Sequence, residues 1–409
     1  MTISNDKLIT LAKKYGTPLY VYDADFIIKK FQELTASFSY PKLKLHYAMK
    51  ANYNVGILKV ILSLGACIDA VSLGDVLLAK AVGFTPDKIL FTANNITDEE
   101  MQAVKAEGVL FNIDSLSRLE KFCSAYPNSD VCIRFNPDVV AGAHENIRTG
   151  GALTKFGVLF EDLEKVKEIV ASNNVRIVGI HKHTGSGVKV DEQDKFLTAI
   201  DNLCRIATVD NFPDLKFVDF GGGFHVPYKD TDGIVDYKSL GHEIDLMIQK
   251  LNSQFGSELE VYFEPGKFLV AEAGHLLIQV NTLKNNKGRL IAGTNSGFSQ
   301  LIRPMFYQAY HQIDNLSNPK ANAETYDICG NICETGDLFA SNRPISQIRE
   351  GDLLVIRNAG AYCYSMGSVY NLRPMPAEVI VQDDIEHLSR KRISEQELID
   401  LVLAESNYE

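Results

Sequence analysis

Lys50 stands at the end of an apolar approach, His46-Tyr47-Ala48-Met49-Lys50-Ala51-Asn52. A lone amine in such surroundings can lose its charge more easily than a solvated one and condense with an aldehyde. Taken alone the signal is weak, because most lysines beside strands reach solvent. Two histidines end another run, Gly179-Ile180-His181-Lys182-His183-Thr184-Gly185-Ser186-Gly187, and their alternate spacing puts both on one face. A metal pair is conceivable. No carboxylate or cysteine stands nearby at ligand spacing, however, and Thr-Gly-Ser-Gly suits a loop offering backbone N–H groups and a hydroxyl to an anion. His181 by itself reads as structural. In Asp219-Phe220-Gly221-Gly222-Gly223 a strand runs into three glycines, where no Cβ keeps a phosphate from the backbone. The spacing is not the Gly-x-Gly-x-x-Gly of dinucleotide sites. In Phe263-Glu264-Pro265-Gly266-Lys267 a carboxylate at a strand end could accept a hydrogen bond from a protonated pyridine nitrogen; the plain alternative is an ordinary turn.

Later in the chain, Cys329-Gly330-Asn331-Ile332-Cys333-Glu334-Thr335-Gly336-Asp337 joins a thiol that could donate a proton with a carboxylate that could recognise an amine. Two buried core cysteines are the commoner meaning of such a pair. Arg303-Pro304-Met305-Phe306-Tyr307 offers a guanidinium fork for a carboxylate, against the reading of a surface ion pair. Gly360-Ala361-Tyr362 and Tyr370-Asn371 supply phenols that could reach phosphate or substrate.

The elements that must carry these residues follow from periodicity. Eight short runs alternate with longer amphipathic ones: Leu43 to Tyr47, Ala66 to Val71, Lys88 to Thr92, Val109 to Ile113, Val131 to Phe135, Ile177 to His183, Phe217 to Phe220 and Leu259 to Phe263. Eight βα units close a (β/α)8 TIM-like barrel, whose reactive groups sit where strands end; an open parallel sheet would show similar local periodicity. Thr97-Asp98-Glu99-Glu100 has the pattern of a capping box, which predicts a helix through Met101 to about Ala106. After Gly274 short alternating runs (Leu276 to Val280, Leu290 to Ala292, Leu353 to Ile356, Glu378 to Val381) predict a second, antiparallel β domain. Pro18 to Tyr22 reads as a strand that joins it. The expected division is a barrel over 24–274 and a β-sandwich or barrel domain from 1–23 and 275–409, with a late helix over Ser394 to Glu405.

A chain of 409 residues, 45% hydrophobic and 23% charged, can bury the cores this needs. Its net charge of -11 opposes non-specific attachment to nucleic acid or anionic membrane. The start carries Asp6, Lys7, Lys13 and Lys14 and lacks the apolar region of a secretory signal, and no later run is long enough to span a bilayer. The 7 cysteines are scattered without a Cys-x-x-Cys pair, which suits reduced thiols in a cytoplasm.

Together and in this order, the motifs resemble the fold-type III pyridoxal-phosphate decarboxylases, specifically the diaminopimelate decarboxylases. The resemblance covers nearly the whole chain: His46 to Asn52, Asp69 to Gly74, Arg134 to Asp138, His144 through Thr149-Gly150-Gly151 to Lys155-Phe156-Gly157, His183 to Gly187, Gly221 to Gly223, Glu264 to Gly266, Arg303 to Tyr307, Cys333 to Asp337, and Gly360 to Asn371. It implies an alanine racemase-like fold, pyridoxal phosphate as cofactor, and an obligate homodimer with shared active sites. It implies that Lys50 holds the cofactor, His183 stacks on the ring and Glu264 pairs with the pyridine nitrogen. Asp69, Arg134 and Gly266 would complete the cofactor site, and Ser186, Gly222, Gly223 and Tyr362 would hold the phosphate. Arg303 and Tyr307, with Lys267 and Tyr362, would bind substrate, while Cys333 and Glu334 would enter from a partner subunit as proton donor and amine recogniser. The implied reaction converts meso-diaminopimelate to lysine and carbon dioxide. Lys267 stands where the family usually has arginine, Asp75 where glutamate is commoner, and Leu73 where glycine is common. The change at 267 keeps open a decarboxylase for another basic amino acid or a carboxylated polyamine; a non-catalytic cofactor carrier and a racemase are the further alternatives.

Overall fold

The structure is a computed structural model that describes residues 3–139, 151 and 154–405; His144, Thr149 and Gly150 lie outside them. Strand β1 (Leu19–Asp23) precedes the barrel. The eight expected runs then form strands: β2 (Leu43–Ala48), β3 (Cys67–Ala70), β4 (Ile89–Phe91), β5 (Leu110–Ile113), β6 (Asp130–Asn136), followed by the two-residue β7 (Val158–Leu159), and β8 (Arg176–Lys182), β9 (Phe217–Asp219) and β10 (Glu260–Phe263). Parallel pairing runs from β2 to β6, on to β8, β9 and β10, and back to β2, so the sheet closes; β7 lengthens the edge of β6. Side chains facing outward, such as Ile68, Phe91, Ile133 and Val218, pack with the apolar stripes of the surrounding helices in one core.

The interior is closed at one end by rings. Gly179 and Phe217 are register partners, and a Cβ on Gly179 would stand 2.0 Å from the Phe217 ring. That ring stacks on Tyr262 at 4.3 Å, and Tyr262 on His46 at 4.4 Å. The space for chemistry is therefore left at the strands' C-terminal ends.

Beyond the barrel come β11 (Gly274–Asn286), β12 (Arg289–Thr294), β13 (Ile313–Asn315), β14 (Ala323–Cys329), β15 (Leu338–Ser346), β16 (Leu353–Ile356), β17 (Ala377–Gln382) and β18 (Ile385–Arg390). They form a second sheet in the order β15-β14-β12-β11-β1-β17-β18, with β16 on β11 and β13 on β16. As expected, β1 joins it. The sheet is mixed where an antiparallel one was expected, because β1–β17 and β12–β14 pair in parallel. Parallel neighbours need a long connection. Between β1 and β17 that connection is the whole barrel and most of the sheet.

The expected helix forms over Asp98–Ala106, but only half of its capping box does. Thr97 Oγ1 accepts from Glu100 N, while the Glu100 carboxylate turns to Leu73 N on a neighbouring helix at 3.4 Å. The complete box is at Ser394, which starts the helix Glu395–Ala404. No helix among the described residues is long and apolar enough to cross a membrane.

Alternation along β8 sends His181 inward and Lys182 outward, into the apolar layer beneath the helix Gln193–Ile206. There the Lys182 ammonium lies 4.4 Å from the Phe196 ring centre, fully buried and without a hydrogen-bond partner among the described residues. Burial pulls its pKa down to about 7. An unfolded lysine binds its proton more tightly, so stability should rise as pH climbs from about 7 towards the unfolded value of 10.5. Lys182→Met is expected to raise stability at pH 7 by roughly 2–4 kcal/mol and to abolish that rise, as read by denaturant titrations across the window.

Candidate active site

β2 ends at Ala48 and the chain turns through Met49–Ala51, which carries Lys50 past the strand into a cleft. Ala48 is the register partner of Asp69 on β3, so the Asp69 carboxylate lies beside that turn. Lys50 Nζ donates to Asp69 Oδ2 at 2.6 Å. Asp69 is fully buried, whereas the Lys50 side chain is 40% exposed and open to the cleft. Burial alone would lower the Lys50 pKa, but Asp69 and then Glu264 outweigh it and raise the pKa. This corrects the expectation of an amine that readily loses its charge. The run leading to Lys50 is apolar, but the group facing the ammonium is a carboxylate from the next strand. Burial and the Glu264 charge in turn push Asp69 up to about 6, against the pull of Lys50.

His183 lies just beyond β8, and Gly222 N donates to its Nδ1 at 3.0 Å, which leaves the ring proton on Nε2. Burial, followed by the nearby Arg134, keeps the imidazole neutral by lowering its pKa well below the ordinary value. The three glycines after β9 are needed as glycines. A Cβ on Gly222 would meet the Glu264 carbonyl at 2.6 Å, and Gly221 and Gly223 have φ of +66° and +126°. Glu264, just past β10, is buried with Oε2 3.1 Å from His181 Nε2. Burial would raise its pKa, but His181 and then Lys50 prevail and hold it below the carboxylate range.

The second sheet sends one loop into the cleft. Gly360 N donates to Ala271 O at 3.0 Å, Asn52 Nδ2 to Gly360 O at 2.9 Å, and Tyr362 N to Ala51 O at 2.8 Å. A Cβ on Gly360 would lie 1.7 Å from Val270 O, so only glycine allows this approach. Tyr362 itself holds φ of +56°, a left-handed conformation unusual for an aromatic residue. Arg303 is buried rather than in a surface ion pair, and its guanidinium donates to Tyr228 Oη at 2.5 Å. Lys267 is also buried in the cleft wall, where burial and then the Arg303 charge lower its pKa to about 7.

Two joined cavities share Lys50, His183, Ser186, Lys267 and Tyr362. The smaller adds Asp69, Gly222, Gly223, Glu264 and Gly266; the larger, ≈ 1030 Å³, adds Arg134, Arg303 and Tyr307 and has room for a cofactor with an amino acid. All the candidate residues are thus brought together except Cys333 and Glu334. Those two are exposed and line neither cavity; Cys333 N donates to Asn371 Oδ1 at 3.0 Å and Tyr370 Oη to Glu334 Oε1 at 3.2 Å. The cleft fits pyridoxal phosphate. Glu264 Oε1 is buried and lacks a donor among the described residues, as a ring N–H would require, and the glycine cradle leaves a backbone surface free of Cβ atoms.

The family model for the pyridoxal-dependent decarboxylase, pyridoxal binding domain, matches residues 24–271. Diaminopimelate decarboxylase of Methanothermobacter thermautotrophicus is 38% identical over 98% of this chain and 94% of its own length. This chain belongs to the diaminopimelate decarboxylase family. It is accordingly a carboxy-lyase that depends on pyridoxal phosphate. Another family member, from Aquifex aeolicus, is 34% identical over 95% of this chain and 92% of its own. The crystal structure of diaminopimelate decarboxylase from Helicobacter pylori complexed with L-lysine superposes with a TM-score of 0.88, at 29% identity, covering 97% of this chain and 99% of that one.

Tyr228 fixes Arg303 from 75 residues away, and His181, expected to be structural, and Asp219, to which no role was given, both lie within the Glu264 cluster. For Tyr228 the sequence carries no signal. Asp219, a carboxylate entering the triple glycine, could have been singled out. In the apo-protein, Asp69→Asn removes the main charge that stabilises the Lys50 ammonium. The pH at which an amine-directed reagent modifies Lys50, followed by peptide mass spectrometry, is expected to fall by about one unit or more.

Proposed function

We propose that this enzyme decarboxylates meso-diaminopimelate to L-lysine, the last step of lysine biosynthesis. The observation that carries the reading is one cleft holding the Lys50–Asp69 pair, the Glu264 carboxylate and the cations Lys267 and Arg303, in a chain of this family. Pyridoxal phosphate, when bound, supplies an electron-withdrawing ring that takes up the electron pair left by carbon dioxide. Lys50 is the amine that holds the cofactor aldehyde, and Asp69 keeps that amine oriented. His183, its tautomer set by Gly222, lies against the ring face; Glu264 accepts from the ring nitrogen and keeps it protonated. Ser186, Gly222, Gly223 and Tyr362 bind the phosphate, with Gly266 and Arg134 completing the wall.

Arg303, steadied by Tyr228, binds a substrate carboxylate with Tyr307 and Lys267. Cys333 protonates the reacting carbon and Glu334 recognises the distal ammonium, both from a second copy of the chain, in a homodimer with shared sites. Their exposure outside the cleft of their own chain supports that assignment. The barrel with its cofactor spans 24–274 and the sheet domain 1–23 and 275–409, a division supported by the family match at 24–271. Seven free cysteines favour a reducing cytoplasm. A basic amino-acid or carboxy-polyamine decarboxylase is the second reading, favoured by Lys267, a point charge where a fork is usual.

The purified protein with pyridoxal phosphate and meso-diaminopimelate is expected to release carbon dioxide and lysine in equal amounts; faster turnover of ornithine, arginine or a carboxylated polyamine would favour the second reading. Borohydride treatment of the holo-protein is expected to tag Lys50, and tagging elsewhere would sink the assignment. Lys267 must carry its proton to hold a carboxylate. kcat/KM is therefore expected to fall as pH rises through about 7, by about tenfold per unit above it, and Lys267→Arg should flatten that limb.

A further inference from the structure

Glu264 does not stand alone at the barrel mouth. β8, β9 and β10 are neighbours, and register pairs His181 with Asp219, and Asp219 with Tyr262 two residues before Glu264. His181 and Asp219 are fully buried, and each of the three side chains has a nitrogen or oxygen within 4.8 Å of the other two. His181 Nε2 lies 3.1 Å from Glu264 Oε2, and Gly221 N donates to Asp219 Oδ1 at 2.8 Å. The remaining oxygens, Asp219 Oδ2 and Glu264 Oε1, are buried and have no donor among the described residues. Two carboxylates this close in a dry interior cannot both be ionised at low cost. A proton on Asp219 removes one of the charges and turns that residue into a donor. Burial, and then the Glu264 charge, do push the Asp219 pKa well above the carboxylate range. Burial likewise lowers the pKa of His181, and a neutral ring with its proton on Nε2 donates to Oε2.

We propose that His181 and a protonated Asp219 are positioning residues that hold the Glu264 carboxylate from behind, ionised and fixed, with acceptor capacity left for the cofactor's ring nitrogen. The proposal rests on the reading of Glu264 given above. An ionised carboxylate accepts at about four lone-pair sites, so two donors from the protein do not fill it.

The test uses the holoenzyme loaded with cofactor labelled with 15N in the ring, and compares E264Q, H181F, H181Q, D219A and D219N by ring-nitrogen chemical shift, cofactor Kd, kcat and KM. H181F and D219A are expected to move the ring signal towards the unprotonated value, weaken cofactor binding about tenfold, and lower kcat with KM within about twofold. H181Q and D219N keep an N–H donor and should retain the wild-type shift and most of kcat. If E264Q itself leaves the ring signal unchanged, the reading of Glu264 fails. If E264Q moves it while H181F and D219A do not, the present proposal fails alone. It also fails if D219N behaves as D219A does, since Asp219 would then act as an anion, or if the purified protein yields a stoichiometric metal whose removal abolishes activity. Should H181F not fold, the histidine 15N spectrum of the apo-protein decides: a neutral Nε2–H ring signal lost in H181Q supports the proposal, and an imidazolium overturns it.

Discussion

Asp69, Asp219 and Glu264 bring three buried carboxyl groups to the mouth of one barrel, and the arrangement around them answers the cost of that burial. In a medium of low dielectric each charge is felt strongly by every other, so protons and cations distribute themselves over the group as a whole. Lys50 is held as an ammonium because Asp69 faces it; Asp69 is drawn up to about 6 by burial and then by the nearby Glu264 charge; Glu264 stays ionised because His181 and Lys50 stabilise it. The neutrality of His183 belongs to the same balance, since burial disfavours its charged form and Arg134 then supplies positive charge beside it. Changing one member therefore shifts the proton on its neighbours as well as removing its own contact.

Much of this was legible in the sequence wherever the signal was local. The barrel strands followed from runs such as Val131 to Phe135, bounded by turns and amphipathic stretches, and every one of the eight formed. The glycines at 221–223 and the strand-end residues Lys50 and Glu264 were recognisable because their types are unusual at such places. Pairings across the chain were out of reach. The apolar neighbours of Lys50 suggested a readily neutralised amine, but the carboxylate that decides its charge stands 19 residues away on the next strand. The carboxylates near His181 are hidden for the same reason, since Asp219 and Glu264 arrive from adjacent strands and not from adjacent positions. Half of the capping box at Thr97 was lost to Leu73, a competitor visible only in three dimensions. The parallel pairs β1–β17 and β12–β14 likewise depend on which distant strands meet, which alternation along one strand does not encode.

The two sheets are joined where the cleft needs them joined. Glycines at 274 and 360 let backbone approach backbone, and the contacts from Ala51, Asn52 and Ala271 hold Tyr362 in a conformation it would not otherwise favour. The strain at that residue is carried by packing on both sides, which ties the shape of the barrel mouth to the integrity of the second sheet.

The place of β1 has a consequence for how the chain matures. This strand lies inside the second sheet, with β11 on one edge and β17 on the other, yet it is translated before any barrel strand. During synthesis one row of its peptide groups waits for Gly274–Leu277 of β11 and the other for Ala377–Val381 of β17, while β2 to β10 find neighbours earlier. The nascent polypeptide thus carries an apolar strand with an open edge through most of its translation. A fragment stalled before Ala377 would keep that edge exposed, a ready template for pairing with other chains.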